Sequence, residues 1–356
     1  MRYRLFGPTG LRVSELFLGA MTFGEQGGVG APPEECARIL DTYAEAGGNV
    51  VDTASNYRGG ASEEIVGQLL QGRRDRFVLS TKYTVTRDRD DPNAAGNHRK
   101  NLRQSLETSV RRLRTDYIDI YWVHMWDAAT PAEETLRALD DQVRAGKILY
   151  VGMSDAPAWV IARANTLAEW HGWAAFAGLQ APYSLLRRDI ERELLPMAEA
   201  LGLTVTAWSP LADGILSGKF TGAGTAGQPT RIDPTTLSEH QHQVAALVAE
   251  VAEGLGASPA QVAIAWAKTR SPAICPIIGA RRADQLLDNL GAAALGLPAD
   301  ALTRLDAATR MKGSGMRIST AHASPDRGAP SVVLVADLLG AETHCRADVM
   351  AAPASQ

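Results

Sequence analysis

Eight times along the chain a short β-like run gives way to a helix-like segment, and that count leaves few folds open. The β-like runs end near Gly19, Asp52, Lys82, His124, Ser154, Gln180, Trp208 and Gly279. Helical patterns cover 33–46, 62–70, 98–113, 131–145, 159–170, 190–201, 259–268 and 283–290. Their ends are punctuated. Pro131 stands early in its segment, Glu133 and Glu134 occupy the first turn, and Gly146 follows Ala145 at the far end. Proline has no N–H to lose there, carboxylates favour the positive helix end, and glycine accepts the left-handed closing residue. Gly47-Gly48 and Gly202 close two other segments in the same way. Eight strand-then-helix units with no dividing linker predict a closed parallel (β/α)8 barrel of the TIM type rather than an open sheet.

Three segments fall outside the alternation. Residues 2–15 carry Gly7-Pro8-Thr9-Gly10 between short apolar flanks and read as an N-terminal β-hairpin. Residues 212–237 form a long Gly/Thr/Pro-rich loop after the seventh strand, and loops of that length in a compact domain are usually lids or disordered. From 312 to 356 the periodicity collapses into Ser, Ala, Gly, Pro and Asp, with one apolar run at 331–339. The expected division is therefore a barrel at 1–311 and an irregular C-terminal tail at 312–356.

Charge and composition narrow the function classes. Thirty-six basic against 40 acidic residues give −4, so no global field favours nucleic acid or an anionic membrane. No apolar run approaches the ~20 residues of a membrane helix, and the N-terminus lacks the hydrophobic stretch of a signal peptide. Cys36, Cys275 and Cys345 suggest neither a disulfide framework nor a zinc site. The expectation is a cytoplasmic, soluble, metal-free protein. Its expected partner is a small carbonyl compound, with self-association into a homo-oligomer left open.

Chemistry gathers at the strand ends. Asp52, Tyr57, Lys82 and His124 come from three successive runs, and in a parallel barrel such positions meet at one mouth. A tyrosine is a poor acid near neutral pH, with a pKa of roughly 10. A nearby ammonium stabilises the phenolate and so promotes proton donation. The set suits protonation of a carbonyl oxygen while hydride reaches its carbon. Met21, Phe23, Trp126 and Trp208 would surround Tyr57 and make the mouth apolar and aromatic.

Several segments then resemble the aldo-keto reductases. They are Leu18-Gly19-Ala20-Met21-Thr22-Phe23-Gly24, Asp52-Thr53-Ala54 with Tyr57, Ser80-Thr81-Lys82 and His124-Met125-Trp126-Asp127. Gly152-Met153-Ser154, Trp208-Ser209-Pro210-Leu211 with Gly218-Lys219, and Ile278-Gly279-Ala280-Arg281 with Gln285 and Asn289 continue the match to about residue 310. In detail the chain resembles the branch holding actinobacterial reductases and voltage-gated potassium-channel β subunits.

That resemblance implies a (β/α)8 barrel that binds NADP(H) and reduces aldehydes and ketones. It makes Tyr57 the general acid, Lys82 the group that lowers its pKa, Asp52 the anchor of Lys82, and His124 a donor to the same oxygen. It assigns Gly19 and Met21 to the cofactor cleft, with Ser154, Asp155 and Gln180 at the nicotinamide carboxamide and Trp208 against the ring. Ser209, Pro210, Leu211, Gly214, Gly218 and Lys219 would follow the pyrophosphate, and Gly279, Arg281, Gln285, Asp288 and Asn289 the adenosine end. Arg281 suits a 2′-phosphate, which favours NADP over NAD, and Arg231 could close over that phosphate. Many family members carry asparagine where this chain has Asp155, and a carboxylate accepts hydrogen bonds but does not donate them.

Other motifs fail. Gly222-Ala223-Gly224-Thr225-Ala226-Gly227 spells a dinucleotide fingerprint, yet no strand precedes it and Pro229 follows. Gly214…Gly218-Lys219 is one residue short of a P-loop, and no Tyr-x-x-x-Lys occurs. His240 and His242, two apart on a helical stretch, do not share a face. Two alternative functions fit the resemblance: a ketoreductase of nucleotide-linked deoxysugars, and an NADP-binding redox sensor like the channel β subunits. The sensors have asparagine in place of His124 and carry a long N-terminal extension.

Overall fold

Side-chain parity along eight parallel strands sorts this chain into a barrel interior and an outer layer. The structure is a computed structural model that describes residues 1–26, 30–86, 88, 90–221 and 232–310. A hairpin of β1 (Tyr3–Leu5) and β2 (Arg12–Ser14) precedes the barrel. The barrel strands are β3 (Phe17–Gly19), β4 (Val50–Asp52), β5 (Val78–Tyr83), β6 (Ile118–Val123), β7 (Ile148–Ser154), β8 (Phe176–Pro182), β9 (Thr204–Trp208) and β10 (Ile274–Gly279). They pair in chain order, and β10 returns to β3 to close the ring. The expected (β/α)8 architecture and its N-terminal hairpin are both present. The expected tail lies outside the described residues.

The helices are α1 (Pro33–Glu45), α2 (Ala61–Leu69), α3 (Arg99–Arg112), α4 (Ala132–Arg144), α5 (Ala158–His171), α6 (Leu194–Ala200), α7 (Glu239–Leu255), α8 (Pro259–Thr269), α9 (Ala283–Leu290) and α10 (Ala299–Ala308). Seven of the eight expected segments agree within a residue at each end. The segment at 190–201 differs: a 3-10 turn at Asp189–Glu191 precedes a shorter α6. Pro196 explains the later start, because it lacks an N–H and is tolerated only in a first turn. Helices α7 and α10 are additional to the eight. Ser238 and Ser258 each form a capping box, with Gln241 and Gln261 respectively, which fixes where α7 and α8 begin.

Inside the barrel, Phe17, Val50, Val78, Ile120, Trp122, Cys275 and Ile277 form an apolar cluster around Phe6 of the hairpin. Their neighbours Leu18, Val51, Leu79, Tyr121, Val123 and Ile278 point outward and pack beneath the helices. The hairpin thus plugs the N-terminal end of the barrel, with Phe6 meeting Trp122 edge to face at 6.1 Å. Cys36 and Cys275 are buried free thiols, raised by burial to about 11 and about 12. Among the described residues no helix is long and apolar enough to cross a membrane.

Trp122 fits the interior only because two facing strands carry no side chain there. A Cβ at Gly152 of β7 would lie 2.2 Å from its ring, and one at Gly178 of β8 would lie 2.8 Å away. Gly152→Ala is expected to overpack the barrel and lower stability by about 1–3 kcal/mol. Urea unfolding checks this, and an unchanged midpoint would mean that the Trp122 ring does not fill that space.

Candidate active site

Two-residue alternation carries the inward face of each strand from the apolar plug up to the open rim. Val78, Ser80 and Lys82 climb β5, Ile120 and Trp122 climb β6 with His124 next, and Val50 leads to Asp52 on β4. The register sets Gly279 beside Gly19, Gly19 beside Asp52, Asp52 beside Ser80, and Ser154 beside Gln180. Polar groups therefore sit on the last inward positions, above a dry floor.

Lys82 is 0% exposed. Its ammonium donates to Asp52 Oδ2 at 2.5 Å and to the Thr53 carbonyl at 2.8 Å. Asp52 also accepts from Ser80 Oγ at 2.5 Å and from Gln180 Nε2 at 3.3 Å. The Lys82 nitrogen stands 4.7 Å from the centre of the Tyr57 ring, so ammonium and phenol are neighbours in the buried site. Burial works against the Lys82 charge, but Asp52 and Tyr57 outweigh it and hold the pKa above the ordinary lysine value.

Tyr57 opens a 3-10 turn, Tyr57–Gly60, in the loop after β4. Buried groups pin that turn from behind. Arg112 donates to the Ser55 carbonyl at 2.9 Å and to Glu63 at 3.2 Å, and Glu63 accepts from Thr81 Oγ1 at 2.7 Å. Gly60 has φ +102°, and a Cβ there would strike the Arg112 guanidinium at 2.3 Å, so glycine is required twice over. The Tyr57 pKa is raised, not lowered. Burial is the largest cause, Lys82 opposes it, and the Asp52 carboxylate pushes upward again. The ammonium alone would favour the phenolate, and desolvation reverses that direction.

The His124 ring meets Tyr57 nearly perpendicular at 5.9 Å between centroids. Burial, with the Lys82 charge second, holds its pKa down at about 3. Nδ1 is buried without a hydrogen-bond partner among the described residues. A neutral imidazole of this kind has one N–H to donate and no charge to give.

A cleft of about 720 Å³ runs outward from this group, a volume typical of small-molecule sites. Of the residues expected at the cofactor, Gly19, Met21, Asp52, Ser154, Asp155, Gln180, Trp208, Ser209, Pro210, Leu211, Gly214, Lys219, Gly279, Arg281, Gln285, Asp288 and Asn289 line it, as do Tyr57 and His124. Lys82 lies beneath the floor, and Gly218 ends a neighbouring turn with φ +84° beside Pro259. Arg231 lies outside the described residues. Phe23 requires correction as a substrate contact: it is fully buried in the core and is bridged to Ala31. Trp126 is not among the cleft-lining residues either, and stands on the rim against Trp159. Asn56, Val85, Met125 and Phe220 line the cleft without having been singled out. Asn56 adjoins Tyr57 and Met125 adjoins His124, so proximity to the polar set was the available signal.

The rim backbone is strained where it meets the cleft. Among the described residues, six of the seven non-glycine residues at positive φ, namely Arg58, Thr84, Asp155, Ser209, Ala212 and Asp213, lie in loops after barrel strands. Such conformations persist where surrounding contacts enforce them, and they concentrate at functional sites. Asp155 has φ +43°, which aspartate tolerates as asparagine does. Its Oδ1 accepts from Trp208 Nε1 at 3.4 Å, and burial raises its pKa despite that bond. At the far end, Asp288 accepts from Ser258 at 2.7 Å and from Gln261 at 3.0 Å, while Gln285 caps the Arg281 N–H at 3.1 Å. Much of the Asp288 and Gln285 hydrogen bonding therefore shapes the cleft wall.

The depressed His124 pKa has a direct readout. Its imidazole NMR signals are expected to stay flat between about pH 5 and 8, where an ordinary histidine titrates; a midpoint near the ordinary value would overturn the neutral assignment.

A sequence profile described as the aldo/keto reductase family matches residues 15–310. A norsolorinic acid reductase of Emericella nidulans is 40% identical over 299 residues, covering 81% of this chain and 76% of the relative. An aryl-alcohol dehydrogenase of Pestalotiopsis microspora is 35% identical over 318 residues, covering 86% of this chain and 81% of the relative. An NADP(+) aryl-alcohol dehydrogenase of Phanerodontia chrysosporium is 34% identical over 318 residues, with 83% of each chain covered. With a barrel of eight parallel strands and a polar group gathered at its mouth, the chain belongs to the aldo/keto reductase family and is an oxidoreductase.

Proposed function

We propose that residues 1–311 form an NADP(H)-dependent carbonyl reductase in which Tyr57 protonates the oxygen of an aldehyde or ketone. The observation that carries this is the Lys82 ammonium, hydrogen-bonded to Asp52 and standing 4.7 Å from the centre of the Tyr57 ring under an open cleft. Tyr57 keeps its proton at neutral pH because burial and Asp52 oppose ionisation. The proton becomes transferable as negative charge develops on the substrate oxygen, with Lys82 beside the phenolate left behind. His124, neutral, donates its single N–H to the same oxygen and fixes its position. In the reverse direction Tyr57 accepts the alcohol proton.

The cleft residues fit a dinucleotide. Ser154, Asp155 and Gln180 offer hydrogen-bonding groups near Tyr57, and the Ser209–Gly214 turn leads toward the cationic Lys219 and Arg281. Nicotinamide, when bound, supplies the hydride. Trp208 is held by Asp155 at the place where a flat ring would lie. Arg281, next to Gln285 and Asn289, is the residue assigned to a 2′-phosphate. One relative is described as acting with NADP(+), and two as aryl-alcohol dehydrogenases, which supports an aromatic carbonyl as substrate. Among the described residues, the only lysine and arginine side chains lining the cleft, Lys219 and Arg281, stand at the proposed cofactor end, which disfavours a nucleotide-linked sugar in the substrate half.

With 4-nitrobenzaldehyde and NADPH, Tyr57→Phe is expected to lower kcat at least ~10²-fold while NADPH binding stays within about twofold. Near-normal turnover in that variant removes Tyr57 as the acid, and absence of turnover by the parent protein removes the reductase reading. Arg281→Ala is expected to weaken NADPH more than NADH in equilibrium titrations, and equal losses would dismiss the 2′-phosphate contact.

A further inference from the structure

Ten large apolar side chains are exposed among the described residues, and three of them sit just after the neighbouring strands β6 and β7. Met125 and Trp126 follow β6 and are 43% and 39% exposed. Trp159, in the first turn of α5 after β7, is 58% exposed. The other seven belong to the hairpin, to the loop after β3, to helix ends and faces, or to the start of β7. Large exposed apolar groups gathered at one place commonly mark a binding surface.

Trp126 and Trp159 pack edge to face, with ring centres 5.8 Å apart and planes at 80°. The Trp126 backbone is tethered, since its amide N–H donates to the Asp155 carbonyl at 3.3 Å. The residues on either side of this joint, Met125 and Asp155, line the cleft, whereas the two indoles do not. The aromatic ledge therefore begins where the cleft ends, next to the wall that carries His124. A carbonyl compound with one small substituent would be held wholly inside the cleft. A flat compound long enough to pass Met125 would lay its outer ring on the ledge, gaining apolar burial and an aromatic contact.

We propose that Trp159, braced by Trp126, is a specificity-determining residue that makes this protein prefer fused-ring aromatic carbonyl compounds over small aliphatic ones. The proposal rests on the carbonyl-reductase reading and deepens it. Trp159 takes no part in proton or hydride transfer, so its removal separates KM from kcat.

The test compares the parent protein, Trp159→Ala and Trp159→Phe on 2-naphthaldehyde and butanal with NADPH. It adds equilibrium dialysis of the alcohol product, 2-naphthylmethanol, against the NADPH-loaded proteins. Trp159→Ala is expected to raise the naphthaldehyde KM and the naphthylmethanol Kd about tenfold, the scale of one aromatic contact together with its lost burial. Its kcat and its butanal kcat/KM should stay within about twofold, and Trp159→Phe should recover most of the loss. Equal losses on both aldehydes, or an unchanged KM, would overturn the ledge while leaving the reductase reading in place. If the parent protein reduces neither aldehyde, that reading falls, and the dialysis alone decides the ledge: unchanged Kd in Trp159→Ala overturns it.

Discussion

A single buried ion pair, Lys82 with Asp52, determines what the rest of the site can be. Removing two charges from water costs several kcal/mol each, and mutual attraction offsets this only when the remaining hydrogen bonds are filled. Partners are supplied here: the Thr53 carbonyl and the Tyr57 ring meet the ammonium, and Ser80 and Gln180 donate to the carboxylate. Each partner comes from a different stretch of the barrel wall. The pair consequently fixes β4, β5, β8 and the Tyr57 loop relative to one another, and loss of either charge would leave the other stranded in a dry interior.

The barrel supplies that dryness from below. Apolar residues take the lowest inward positions, so the hairpin plug, Trp122 and the strand beginnings exclude water from the underside of the polar set. The two glycines facing Trp122 are part of the same arrangement, because a smaller filler would leave a void beneath the charges. On the outside of β5 a second buried pair, Glu63 with Arg112, ties Thr81 to the Ser55 carbonyl. Neighbouring residues of one strand thus hold Tyr57 from two sides, Lys82 against its ring and Thr81 through the turn behind it.

What could be read in the sequence was whatever depends on strand parity and on residue chemistry. Asp52, Lys82, His124, Ser154, Gln180 and Trp208 were legible because each ends or nearly ends an apolar run, and alternation then decides which face it takes. Phe23 was not legible. It lies past the end of β3, where no period tells inward from outward, and the Phe23–Ala31 bridge turns it into the core. Trp126 and Trp159 are 33 residues apart, so their contact depends on how two loops fold over the rim. The direction of the Tyr57 shift was hidden for another reason. Charge can be counted along a sequence, but desolvation belongs to the assembled site.

That distinction bears on how such a site works. A bare ammonium beside Tyr57 would favour the phenolate, and the site would discard its proton before a substrate arrived. Pairing Lys82 with Asp52 reduces the ammonium's pull at rest, and burial then keeps the phenol intact. His124 is held neutral by the same burial and the same ammonium, so it does not compete as a proton source. On the proposed reading one proton is stored at one atom, and only the charge developing on a carbonyl oxygen changes the balance. The neighbouring dipoles are already oriented, which is the condition under which they are most effective in a dry cleft.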